Sequence, residues 1–159
     1  MYLFNNSDDP PTAVEATIEP VTASDLKKLT KKDFVFNWKD FAATELWKLR
    51  IADSGIILGV MSLTYYPLEY RIEINLITSR SDNVGPNKQY DRIAGCLIAW
   101  ACRLAVKLYG NLACVSLKPK TRLVRHYQEK YGMLDGGQQL YVDGRPLYNL
   151  IQTYIDHEP

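Results

Sequence analysis

A chain of 159 residues ordinarily forms one domain and buries roughly 70% of the surface its unfolded form would expose. Its 19 Lys and Arg stand against 18 Asp and Glu, a net charge of +1, which argues against a nucleic-acid partner held on a broad basic face but leaves room for one small anionic ligand. The amino terminus, MYLFNNSDDPPT, has no basic stretch followed by an apolar one, and no run approaches the roughly 18 apolar residues of a membrane helix, so a soluble, cytoplasmic protein with no membrane partner is expected.

Residues 1–12 are polar and carry Pro10 and Pro11, which predicts a flexible lead-in. A short strand follows at 13–18. Thr22 or Ser24 can cap a short helix over 25–30, with Asp25 in the first turn, where the helix dipole favours an acid. The aromatic stretch 34–41 has no assignable period. Its Phe34, Phe36, Trp38 and Phe41 read either as core or as the wall of an apolar acceptor pocket. Residues 45–52, 56–64 and 70–78 are β-branched or apolar runs separated by Asp53-Ser54-Gly55 and by Pro67, the pattern of an antiparallel meander. In the third run Ile72, Ile74 and Leu76 alternate with Arg71, Glu73 and Asn75, so one face is core and Glu73 projects from the polar one.

After a loop over 79–87, a long helix is predicted from Gln89 to Tyr109. Ile93, Leu97, Leu104 and Leu108 recur near helical spacing, Ala94, Ile98, Ala101 and Ala105 widen the stripe, and Gly110 ends it. A strand over 111–117, a helix over 121–130 stopped near Gly132, and a strand over 138–142 follow. A last helix over 145–155, with Pro146 in its first turn, carries Leu147, Leu150, Ile151 and Tyr154 on one stripe that can cover a sheet edge or form a homodimer contact. This order implies one α/β (α+β) domain over 1–159, a mixed, mostly antiparallel sheet flanked by helices. The cysteines, Cys96, Cys102 and Cys114, are odd in number and match no zinc spacing, and read as buried thiols in a reducing compartment.

The start of the long helix carries the chemistry. Its amides lack intrahelical partners and bear about half a positive charge, which makes an anion site, above all for phosphate. Lys88 and Arg92 oppose that dipole unless an anion sits among them; otherwise they are solvated surface charges with Asp91 as local partner.

The order strand, strand, strand, helix, strand, helix, with the hairpin LWKLRIADSGIILGVMSL, the strand EYRIEINLI, the loop and helix QYDRIAGCLIAWACRLA and the segment KTRLVRHYQEKYGM, resembles the GNAT superfamily of acetyl-CoA-dependent N-acetyltransferases over residues 45–143, as a divergent member. The resemblance implies the acyl-CoA N-acyltransferase fold, acetyl-CoA as cosubstrate and no metal. In that family a Q/R-x-x-G-x-G/A signature opens the long helix, and its amides hold the coenzyme diphosphate. The matching residues here are Gln89-Tyr90-Asp91-Arg92-Ile93-Ala94: Gln89 and Ala94 fit, and Arg92 stands in the place of the central glycine. Arg92 either crowds the site or lends its guanidinium to a phosphate oxygen, and phosphate contact is the expectation.

The coenzyme contacts so implied are Leu76, Ile77 and Thr78 on the strand, Lys88, Gln89, Tyr90, Arg92, Ile93 and Ala94 at the helix start, and Thr121 at the start of the next helix. The resemblance makes Glu73 the general base, with pairing to Arg71 as its structural alternative. Tyr127 is the candidate general acid, although counting back four from Gly132 gives Gln128 and leaves Tyr127 one residue off register. The oxyanion is expected at a backbone N–H near Ile77 or Thr78, where the strands splay and the pantetheine amides can pair with the strand. His126 reads as a surface residue, and two histidines support neither a metal site nor a Ser-His-Asp arrangement. Two functions remain: acetyl transfer to a primary amine of a small molecule or peptide by direct attack, or a binding module with a degenerate coenzyme site that senses acyl-CoA or contacts a protein.

Overall fold

The computed structural model describes residues 1–41 and 44–159. The apolar runs pair as their alternation requires: β2 (Thr12–Pro20), β3 (Glu45–Ile51), β4 (Ile57–Tyr66) and β5 (Arg71–Ser79) form an antiparallel meander. Around it lie β1 (Tyr2–Asn5), β6 (Tyr90–Asp91), β7 (Cys114–Leu117), β8 (Leu134–Asp135) and β9 (Leu140–Asp143), in the sheet order β6-β1-β2-β3-β4-β5-β7-β9-β8. Only β5 and β7 run parallel among the pairs, because the helix α3 (Ile93–Tyr109) carries the chain back across the sheet between them. Helices α4 (Val124–Tyr131) and α5 (Gly144–Ile151) complete that layer.

Leu3, Leu49, Met61, Ile72, Val115 and Val142 of the sheet meet Leu97, Ile98 and Ala101 of α3 and Leu147 of α5 in the main core. Small residues bring α3 close. A Cβ on Gly59 of β4 would lie 2.7 Å from Ile93 Cγ2, and one on Gly95 would lie 2.2 Å from the Tyr154 ring. The opposite sheet face is covered by two one-turn helices, α1 (Ala23–Leu26) and α2 (Lys31–Phe34), and a 3-10 turn at Trp38–Phe41. Phe34 and Trp38 are buried there with Leu46 and Val60, so these two aromatics are core.

Several expectations are corrected. Residues 1–12 are no loose lead-in: Tyr2 and Leu3 are buried, and β1 pairs with both β2 and β6. The long helix starts at Ile93 rather than Gln89, because Tyr90 and Asp91 pair with β1 as strand. Residues Ile93–Leu112 are, by length and composition, apolar enough to cross a bilayer, against the expectation of no such run, and half of that stretch is buried within the protein. The carboxy-terminal helix packs its stripe on α3 and the sheet face, not on an edge. Its last turn, Gln152–Asp156, widens to a π-helix. Cys96 and Cys102 are buried, whereas Cys114 is only half-buried.

Alternation along β5 also breaks. Leu63 faces Ile74 but Ser62 faces Leu76, so Asn75 is the extra residue of a bulge. Ile72 and Ile74 therefore join the main core, while Leu76 packs under α2 and Ile77 returns to the main core. The parallel pairing of β5 with β7 ends at the same place, at Ile74 with Leu117.

Between β3 and α1 lies a buried ion pair. Thr22 caps α1 reciprocally with Asp25, and the Asp25 carboxylate also accepts from Lys48, the two residues being 6% and 7% exposed. Burial pushes the Asp25 carboxyl up, but Lys48 and the Thr22 amide and hydroxyl outweigh it and hold the carboxyl below its usual range. A depressed folded value gives stability above the unfolded value of about 4 that is lost as pH falls through the folded one. Asp25→Asn should cost about 3 kcal/mol at neutral pH, since it leaves Lys48 buried with only Glu19 beside it, at 3.3 Å. Denaturant titrations should show that gap narrowing below about pH 4; a pH-independent gap would refute the assignment.

Candidate active site

The site forms where β5, the front of α3 and the front of α4 meet. Arg92 caps α3 in the left-handed conformation, at φ 81° and ψ 1°. That geometry explains why a glycine suits this position, because a Cβ there is disfavoured by about 1–2 kcal/mol. The side chain compensates. Its guanidinium donates from Nε to the Tyr2 carbonyl at 3.2 Å and from an NH2 group to the Thr153 carbonyl at 2.7 Å. It also lies over the rings of Tyr2 and Tyr154, at 4.3 and 4.8 Å. The guanidinium expected at a phosphate oxygen is bonded to carbonyls near the two ends of the chain, while Arg92 remains part of the wall of the cavity at the helix start.

The Arg92 N–H donates to Asp91 Oδ1 at 2.9 Å and the Cys96 N–H to the Arg92 carbonyl, so the amides of Ile93, Ala94 and Gly95 have no partner among the described residues. Ile93 and Ala94 border a cavity of about 340 Å³ whose wall includes Lys88, Tyr90, Arg92, His126 and Lys130, with Asp91 as its one acid, while Gly95 packs against the Tyr154 ring. Burial pushes the Asp91 carboxyl up, but Lys88 at 3.0 Å and the Arg92 amide outweigh it and hold the group ionised. Asn83 fixes the loop by bonding both the N–H and the carbonyl of Tyr90, at 2.7 and 2.8 Å. Asn6 binds the carbonyls of Lys88 and Gln89. The open amides of Ile93 and Ala94 with Lys88, His126 and Lys130 around them fit a diphosphate.

A second cavity, of about 250 Å³, opens where β5 and β7 part, and is lined by Ile74 through Thr78, by Leu117 through Lys120, and by Val35 and Phe36 beyond α2. From Asn75 onward the outward backbone groups of β5 have no β7 partner, which fits an extended chain bearing amides. Leu123 and Tyr127 line both cavities. Gly132 caps α4 in the left-handed conformation, and the Tyr127 ring reaches the junction although it is one residue off the expected register. Burial raises the phenol above its ordinary range, so it stays protonated at neutral pH.

Glu73 faces the other side of β5, with Asn75. Its carboxylate accepts from the Tyr66 hydroxyl at 3.4 Å and lies 4.0 Å from Arg71, which in turn donates to Ser116 Oγ at 2.7 Å. Asn75 donates to Ser62 and Thr64, at 3.2 and 2.8 Å. Of the residues expected at the coenzyme, Leu76, Ile77 and Thr78 line the second cavity, and Lys88, Tyr90, Arg92, Ile93 and Ala94 the first. The Gln89 and Thr121 side chains are exposed and line neither. Sequence reasoning missed Asn83, Lys118, Lys120 and Lys130. The run Lys118-Pro119-Lys120 after a predicted strand was the available signal for two of them.

No family model and no curated protein matches the chain. Solved structures do. A variant of the spermidine N-acetyltransferase SpeG from Vibrio cholerae is 13% identical with a TM-score of 0.58, over 80% of this chain and 92% of that one. An acetyltransferase from Bacillus subtilis, in complex with CoA, is 17% identical with a TM-score of 0.55, over 82% and 99%. A GNAT-family acetyltransferase from Listeria monocytogenes is 11% identical with a TM-score of 0.58, over 82% and 96%. The chain has the GNAT acetyltransferase fold.

The role of Arg92 is testable by stability. Arg92→Ala keeps the left-handed backbone and loses both carbonyl bonds, and should cost about 2–3 kcal/mol in urea titrations. Arg92→Gly loses the same contacts without the Cβ penalty and should be about 1 kcal/mol milder. Equal losses would show that no strain resides there.

Proposed function

We propose that this protein transfers the acetyl group of acetyl-CoA to a primary amine by direct attack. One observation carries the reading: Ile93 and Ala94, whose amides are unpartnered, line a cavity that shares Tyr127 with the gap between β5 and β7. The amides, with Lys88 and Lys130, hold the diphosphate; the unpaired edge of β5 from Leu76 to Thr78 takes the pantetheine arm. Acetyl-CoA supplies an activated carbonyl and a thiol leaving group.

The chain's own residues then manage two protons. Glu73, aided by Tyr66 and Arg71 in keeping its orientation, accepts a proton from the amine nitrogen. That nitrogen bonds to the acetyl carbon as the carbon–sulfur bond breaks. Tyr127 gives its phenolic proton to the departing sulfur, and exchange through water returns the Glu73 proton to the Tyr127 phenolate. The developing oxyanion meets a backbone N–H near Ile77 or Thr78. The products are an N-acetyl amine and free coenzyme A.

The competing reading, a binding module with a degenerate coenzyme site, rested on Arg92 blocking the helix start and on the register of Tyr127. The guanidinium is engaged elsewhere, and Tyr127 lines both cavities, so neither ground favours it. Calorimetric titration with coenzyme A should give binding; no heat at millimolar ligand would remove the enzyme reading. Glu73→Gln should lower kcat by about a hundredfold with coenzyme affinity unchanged, and Tyr127→Phe by about tenfold or more. Unchanged turnover would discard the residue concerned.

A further inference from the structure

The two cavities differ in charge. The first carries Lys88, Arg92 and Lys130, with Asp91 paired to Lys88, and is the seat proposed above for the diphosphate. The second is lined by Lys118, Lys120 and Arg122 and by no acid, and none of the three has an ion-pair partner among the described residues. In a chain of net charge +1 this is a local concentration of charge, not the average of a basic protein.

The β5 edge of this second cavity takes the uncharged pantetheine arm, which calls for none of these cations, and leaves the side that follows β7, with Lys118 and Lys120, for the acceptor. All three cations are exposed to solvent, which screens their mutual repulsion, and an anion set at the cavity mouth among them gains the attraction of all three. The cavity also reaches the acceptor side of the sheet. Asn75 lines it and shares its sheet face with Glu73, and Lys118 follows Ser116 by two residues, with Ser116 bonded to Arg71 on that same face. Phe36 and Leu76 close the apolar side. Glu73 lies outside the cavity wall, two residues before Asn75 along that face, so an acceptor seated here has the cations beside it and reaches along β5 to the carboxylate.

We propose that the acceptor is an amine that itself carries an anionic group, a carboxylate or a phosphate, set against Lys118, Lys120 and Arg122 with its nitrogen turned toward Glu73. This rests on the acetyltransferase reading and names its substrate class. Polyamines are turned away by the same three cations, although a polyamine is the substrate named for one protein of similar fold.

The test compares thiol release from acetyl-CoA with four probe amines: ethanolamine, O-phosphoethanolamine, β-alanine and spermidine. The expected result is kcat/KM about tenfold higher for O-phosphoethanolamine than for ethanolamine, or for β-alanine if the cleft takes a carboxylate, with spermidine below both. The double variant Lys118→Gln/Lys120→Gln should lose that preference and accept spermidine better, while its calorimetric affinity for coenzyme A falls by less than about fivefold. Preference for spermidine or ethanolamine in the unmodified protein would overturn the inference. So would a double variant that keeps its acceptor preference but loses coenzyme affinity, since the cations would then serve the nucleotide phosphates. Coenzyme binding with no turnover of either anionic probe would overturn it and spare the acetyl-CoA reading. No coenzyme binding at all would sink both.

Discussion

The guanidinium of Arg92, held between the Tyr2 and Tyr154 rings and bonded to the carbonyls of Tyr2 and Thr153, is the contact on which the site depends. It ties the first strand, the start of the long helix and the last turns of the chain into one knot. A left-handed backbone at a residue with a Cβ is unfavourable by about 1–2 kcal/mol, and a charged donor to two carbonyls with aromatic faces around it offsets a cost of that size. The consequence for chemistry is indirect. Because the side chain is drawn backward, the amides of Ile93 and Ala94 stay open on the cavity side. The neighbouring pairings, β1 with β6 and Asn6 with the carbonyls of Lys88 and Gln89, keep the approach loop in register with them.

A second device acts on the sheet. The bulge at Asn75 coincides with the end of the parallel ladder between β5 and β7, so the same residue that reverses the faces of the strand also marks where its outer edge becomes free. One side of the resulting gap carries Tyr127, and the other carries Asn75 and leads to Glu73. In the proposed reaction, a carboxylate and a phenol on opposite sides of a split sheet serve a nitrogen and a sulfur that arrive from opposite directions.

Much of this was legible beforehand, and the gaps have particular causes. The meander, the crossover helix and the caps at Gly110 and Gly132 follow from local rules of alternation, helical spacing and turn chemistry. What escaped was decided by distant partners. Tyr2-Leu3-Phe4 is three residues long and sits in polar surroundings, so only its pairing with β2 and β6 reveals it as strand. Tyr90 and Asp91 leave the helix for the same reason. Leu76 looked like the third core residue of an even alternation, and only the register against β4 shows that Asn75 interrupts it. At the site, Lys88 and the helix start line the first cavity as their sequence positions suggest, whereas Glu73 lines neither cavity. The direction of the Arg92 side chain was not readable, since its partners lie at both ends of the chain.

The account turns on the open amides at the front of α3 being the seat of the coenzyme diphosphate. Backbone amide resonances of isotope-labelled protein, followed by NMR as coenzyme A is added, address that seat directly. The largest shifts are expected at Ile93, Ala94 and Gly95, with smaller ones along Leu76 to Thr78. Saturation with coenzyme A that moves other amides and leaves those of residues 93–95 in place would contradict the account.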